Sequence, residues 1–241
     1  MDEPFEEIGE GKKKAGIFSV FEVLYSPSRA FRQIIDAGHA WIYPAIIFAL
    51  ILEMGIIMEI PLLQEQIAEP AMLLPEGEKI SESIIIITIV FISIFLLPIG
   101  FFAIYIVPSL IYIFIGNFVF EGKAGFRQVL NVTAYASIPY LIGNFLANTI
   151  SSIMRMEFFT FNPSVLFPAE MQATFLGIWL GMFNPLLIWQ VALTIIGLSL
   201  LYNHTKAKTA AWFIPLYLAF YTFFALVFSL LGKFAEDWGI S

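Results

Sequence analysis

Residues 83–120 read SIIIITIVFISIFLLPIGFFAIYIVPSLIYIFIGNFVF, and no Asp, Glu, Lys or Arg interrupts them. A run this long and this apolar has no place on or in a soluble domain of ordinary size; it is the composition of a helix in hydrocarbon. One bilayer crossing needs about 20 residues, so the block is too long for a single crossing and short for two crossings plus a turn. Pro98 and Pro108 sit inside it, and each removes a backbone donor from a helix and can kink it. The favoured reading is one long helix kinked at the prolines, its inner end projecting past the membrane or lying tilted.

Working outward, four further apolar segments follow the same rule: a first span at about 41–61, a third at about 127–154, a fourth within 175–202 and a fifth within 209–231. The whole chain agrees, at 59% hydrophobic and only 13% charged over 241 residues, where a soluble domain carries roughly 25% charged residues. The expected fold is therefore all-α: a polytopic bundle of five membrane-spanning helices over 38–241. Ahead of it stand an amphipathic interfacial segment, 17–37, and a disordered cytoplasmic tail, 1–16. In the amphipathic segment Ser26 and Pro27 form a helix start, the serine as cap and the proline in the first turn. Ala30, Phe31, Ile34 and Ile35 then share one face and Arg29, Arg32 and Gln33 the other, so Phe31 and Ile34 are expected against lipid or against the floor of the bundle.

Loop charges test the span count. With five spans, the inner segments hold Lys12, Lys13, Lys14, Arg29, Arg32, Lys123, Arg127, Lys206 and Lys208, and the outer ones hold Lys79, Arg155 and Lys233. Nine of the twelve basic residues thus fall inside. Cytoplasmic loops are enriched in Lys and Arg, which places the N-terminus in the cytoplasm and the C-terminus outside. The outer loop 62–82 is acidic, with Glu65, Glu69, Glu76, Glu78 and Glu82. A net charge of −7 argues against a nucleic-acid partner. The chain has no cysteine and only two histidines, His39 and His204, and it carries no HExxH, GxSxG or Gly-rich phosphate loop. A metal site, a cofactor or a catalytic centre is not expected. The sequons at Asn131 and Asn203 fall on the expected cytoplasmic side, where glycosylation is not expected. Gly177 and Gly181 have the spacing that lets helix backbones approach.

The polar residues inside the spans are few. Glu53 lies roughly 18 Å above the inner end of the first span at 1.5 Å per residue. A carboxylate at that depth is costly unless paired, protonated or hydrated, and is a functional candidate for that reason. Glu59 lies nearer the outer end, within reach of water. Gln190 falls at a depth similar to that of Glu53, on the fourth span. Asn144 and Asn148, four residues apart, lie on the outer half of the third span, and Asn184 lies on the outer half of the fourth. These five, Glu53, Asn144, Asn148, Asn184 and Gln190, are expected to form one polar cluster. It is either a set of ordinary interhelical hydrogen bonds, each worth about 1 kcal/mol, or a substrate or proton pathway.

Three segments together resemble the Yip (Ypt-interacting protein) family of membrane proteins in its short prokaryotic form. Ser26 to Ile34, with Pro27 and Phe31, is similar to the Pro-x-x-x-Phe segment ahead of that family's first span. Gly122 to Gln128, followed by Ala134-Tyr135-Ala136-Ser137-Ile138-Pro139, is similar to its Gly-rich turn and the small-Tyr-small-Ser-x-Pro element of its third span. Asn184-Pro185-Leu186-Leu187-Ile188-Trp189, leading to Gly197-Leu198 and then Lys206-Ala207, completes the set. The resemblance implies a five-span bundle with a cytoplasmic N-terminus. Its eukaryotic members are linked to Rab-type GTPases, vesicle budding and membrane shaping. Here their Asp-Leu-Tyr-Gly-Pro element survives only as Trp41-Ile42-Tyr43-Pro44, their Gly-Tyr pair is Ala134-Tyr135, and the tail is short, all of which argues against GTPase binding. The expected function is that of a non-enzymatic membrane organiser or scaffold in a prokaryotic plasma membrane. Its expected partners are lipids and either other membrane proteins or further copies of itself. The alternative is a transporter or channel-like component built around Glu53, with an intramembrane enzyme a distant third.

Overall fold

In the computed structural model, which describes residues 16–68, 82–155, 159–172 and 174–237, every regular element is helical. The tail up to Ala15 and the acidic stretch 69–81 lie outside these residues, as do the side chains of Glu59, Glu65 and Glu82. The chain runs through α1 (Ile17–Tyr25), α2 (Pro27–Ile34), α3 (Ile42–Ala68) and α4 (Glu82–Phe101). It continues through α5 (Val107–Phe114), α6 (Phe126–Ala136), α7 (Ile138–Met154), the one-turn α8 (Ala169–Gln172), α9 (Phe175–Gly181), α10 (Pro185–Leu201) and α11 (Lys206–Asp237).

The apolar block that opened the sequence is continuous helix from Glu82 to Val119, with π turns at Phe102–Ile106 and Ile115–Val119. The first π turn closes immediately before Pro108, where Val107 donates back to the carbonyl of Phe102. A proline cannot donate to the ladder, and the widened turn accommodates the missing bond without ending the helix.

The middle of the bundle is the third apolar segment. α6 and α7 form one span, Phe126–Met154, of which 72% of the most apolar window is buried, against 11% for Ile94–Val119 and for Lys206–Phe234. Around it, α3 packs on α7, α10 crosses both α6 and α7, α5 and α2 pack on α6, and α11 lies outermost against α10 and α9. Two short approaches fix this arrangement. A Cβ on Gly197 would stand 2.5 Å from Val132 and 3.1 Å from the Phe31 ring, and one on Gly143 would stand 2.3 Å from Leu186. Only glycine lets α10 lie this close to α6 and α7.

α2 turns its apolar stripe inward: Ala30, Phe31 and Ile34 are fully buried, while Arg29 and Arg32 are exposed. Phe31 is thus part of the bundle floor. The expected Ser26 side-chain cap is not made; the Ser26 carbonyl accepts the Ala30 N–H at 3.0 Å, and Pro27 alone sets the first turn. α1 was not separated from α2 in the sequence. It carries its own outward apolar face, with Phe18 84% and Tyr25 77% exposed.

Among the described residues, three helices can cross a membrane by length and apolarity. A fourth crosses if α9 and α10 count as one span, although they meet at 59°. The bend follows from the sequence: Pro185 cannot continue a helix, and the Asn184 side chain caps the new one by accepting the Leu186 N–H at 2.8 Å. Of the 27-residue α3, which holds the expected first span, the described side chains cover the apolar run Ile42–Met58.

Candidate functional site

Four helices leave a cavity of about 630 Å³ between them. α5 contributes Pro108, Ile111 and Tyr112, α7 contributes Tyr140, Asn144 and Asn148, α10 contributes Leu187 and Gln190, and α11 contributes Tyr217, Phe220, Tyr221, Phe224 and Phe228. The residues from Phe159 to Asn162 and the break at Asn184 complete its wall. The α11 residues recur at helical spacing, so one aromatic stripe faces the cavity, with Phe220 and Phe224 ring centroids 4.5 Å apart. The opposite wall carries amides. Every described lining residue is uncharged.

The polar groups on this wall have specific partners. The Asn144 amide N–H donates to the Tyr140 carbonyl at 3.0 Å, one turn back on its own helix, which leaves its oxygen for a donor. Asn184 spends its oxygen on the α10 cap. Tyr112 and Tyr217 hydrogen-bond through their hydroxyls across the α5–α11 gap. Among the described lining residues, Gln190 has a buried side-chain oxygen with no hydrogen-bond partner in the protein. A buried acceptor left without a donor costs about 1–3 kcal/mol, so this position favours a donor from whatever occupies the cavity, water or ligand.

Four of the five candidate polar residues, Asn144, Asn148, Asn184 and Gln190, therefore line one space. Glu53 does not. It lies two residues, or about 200° of helix, from Gly55, the α3 residue that faces the Asn148 amide. It shares its face with Leu50 and Ile57, exposed at 58% and 61%. The carboxylate is half-buried on the outward edge of α3.

A second polar system, which the sequence did not mark, sits at the other end of the central helix. Asn131 is fully buried and donates to the carbonyls of Ile34 (3.0 Å) and Ala37 (2.9 Å), while its oxygen accepts the Trp41 N–H at 3.0 Å. Its Asn-x-Thr pattern is a packing element with no free amide for a glycan. Above it, Ser109 donates to Thr133 at 2.9 Å, and Thr133 donates to the Val129 carbonyl at 2.9 Å. The Tyr105 hydroxyl makes long contacts with Ser137 (3.4 Å) and the Pro44 carbonyl (3.5 Å).

The motif positions are spread over several helices. Pro27 opens α2. Tyr135 is fully buried on α6, Pro139 is buried in the first turn of α7, and Trp189 is 40% exposed on α10. Gly122 donates its N–H to the Gly116 carbonyl at 3.0 Å, and both glycines flank the Tyr202 ring, which a Cβ on either would strike. Gly177 and Gly181 face Met171, Gln172 and Ser164, the connecting segment ahead of α9 and not a second span.

Helices of membrane-crossing length around a core with no buried charge among the described residues define a polytopic α-helical integral membrane protein. Residues 21–228 match the Yip1 domain, which spans most of the sequence, and the chain belongs to the Yip1 domain family. No curated protein and no solved structure matches it.

Proposed function

We propose that the protein is a non-enzymatic membrane organiser. Its central helix is the fixed core, and its outer helices present surface to lipids and to partner membrane proteins or further copies of itself. One observation carries this reading. The two outer spans, Ile94–Val119 and Lys206–Phe234, are 11% buried where the central span is 72% buried, so most of their apolar surface is available to neighbours in the bilayer. α1 adds an interfacial face through Phe18, Phe21 and Tyr25. The orientation proposed is five spans, counting α3 and the bent α9–α10 pair, with the N-terminus in the cytoplasm of a prokaryotic cell and the C-terminus outside. The placement of Glu53 away from the cavity offers no support for a proton pathway.

The test is single-cysteine crosslinking along α11 in native membranes. Phe223, Leu226 and Leu230, at 60%, 51% and 49% exposed, share one outward face, whereas Ala225 is fully buried. Cysteines at the first three positions are expected to give defined adducts larger than the monomer, and one at Ala225 none. Monomer alone at every position would overturn the proposal.

A further inference from the structure

We propose that the cavity between α5, α7, α10 and α11 is a binding site for a neutral, hydroxyl-bearing lipid, taken in by its head and one chain. The inference rests on the lipid-contacting half of the organiser reading and adds to it the chemical class of the lipid and the residue that selects it.

The walls decide the class. With every described lining residue uncharged, a phosphate-headed lipid finds no countercharge among them and gives up solvation on entering. A neutral head carries no such cost. The buried, unpartnered oxygen of Gln190 favours a donor, and a hydroxyl is the donor a neutral lipid supplies. The oxygen of Asn144, whose N–H is already committed to Tyr140, offers a second acceptor on the same wall. A ketone or ester oxygen alone satisfies neither. The aromatic stripe of Phe220, Phe224 and Phe228 on α11 forms the opposite wall and suits a hydrocarbon chain. The cavity volume of about 630 Å³ lies within the ordinary range of ligand pockets and suits a glycerol head and one chain.

The experiment uses two photoactivatable probes with the same chain, monoacylglycerol and lysophosphatidylglycerol, on the full-length protein in lipid nanodiscs. Labelled peptides are mapped by mass spectrometry. The monoacylglycerol probe is expected to label α7 and α11 peptides saturably and to be displaced by unlabelled monoacylglycerol. The phosphate-headed probe is expected to label only outward faces and without saturation. Gln190→Leu, which removes both amide atoms at nearly constant volume, should lower saturable labelling at least tenfold. Ala147→Phe, which fills the cavity from α7, should do the same and serves if Gln190→Leu does not fold. Equal saturable labelling by both probes, or labelling kept within twofold in a folded variant, overturns the proposal. Crosslinking along α11 reads the organiser role separately, so the failure of one is distinguishable from the failure of the other.

Discussion

The side-chain oxygen of Asn131 accepts the backbone N–H of Trp41 at 3.0 Å, across 90 residues of sequence. With its N–H₂ on the carbonyls of Ile34 and Ala37, one buried amide completes the turn between α2 and α3 and ties that turn to the central helix. Asn131→Ala is expected to cost about 2–4 kcal/mol, because one buried and two partly buried backbone groups lose their partner and each costs roughly 1–3 kcal/mol unmade, less whatever water repairs. Asn131→Asp keeps the shape and the acceptor but cannot donate, and should destabilise comparably. Unfolding by SDS in mixed micelles measures both; a loss below about 1 kcal/mol for Asn131→Ala would show that the turn holds without it.

The glycine slot around Tyr202 makes a paired prediction. A Cβ on Gly116 would stand 1.9 Å from the ring, so Gly116→Leu forces Tyr202 out and should destabilise by about 2–4 kcal/mol. Adding Tyr202→Ala opens the space the leucine needs, and the double variant should lose at least 1 kcal/mol less than the two single losses combined. Strict additivity in thermal unfolding would separate the residues.

Phe31 and Phe18 test which N-terminal face belongs to the bundle. Phe31 is fully buried and Phe18 is 84% exposed. Phe31→Ala should cost about 3–5 kcal/mol. Phe18→Ser should leave the unfolding midpoint unchanged, yet lower the quenching by brominated lipid of a tryptophan placed at Phe21. Quenching that stays the same would move α1 out of the interface.

Orientation is read by an impermeant thiol reagent on intact cells. Leu166→Cys and Lys233→Cys should react from outside, and Lys123→Cys and Lys206→Cys only after the membrane is opened. Reaction of Lys123→Cys in intact cells would reverse the topology.

Glu53→Gln is expected to leave stability unchanged or raise it, since the side chain sits beside the outward Leu50 and Ile57 on a span where a charge is costly. A loss above about 2 kcal/mol in the same SDS titration would place a structural partner on it.

The membrane-crossing helices, three or four among the described residues, were legible because hydrocarbon demands long uncharged runs, and nothing else in a sequence imitates 83–120. The amides of the cavity were legible as rare polar residues in apolar segments. Glu53 satisfied the same rule and lies elsewhere, because rarity marks depth and says nothing of which way a helix is turned. Asn131 was hidden: its partners are 90 and more positions away, and its local pattern imitates a glycosylation signal. The π turns were hidden too, since one added residue in a uniformly apolar helix changes no visible period. The Asn184-Pro185 break was there to be read, a cap followed by a residue that only starts helices.

That break bears on the bilayer itself. α10 keeps 17 residues, a length of about 26 Å. It stands against the central span, where hydrocarbon is about 30 Å thick. Lipid beside it must thin, the bundle must tilt, or the bent α9 must make up the difference, at a modest cost for each ångström of mismatch. The α10 flank is therefore suited to thinner membrane than the longest helices, and the outline of the bundle carries a preference for where in a membrane it settles.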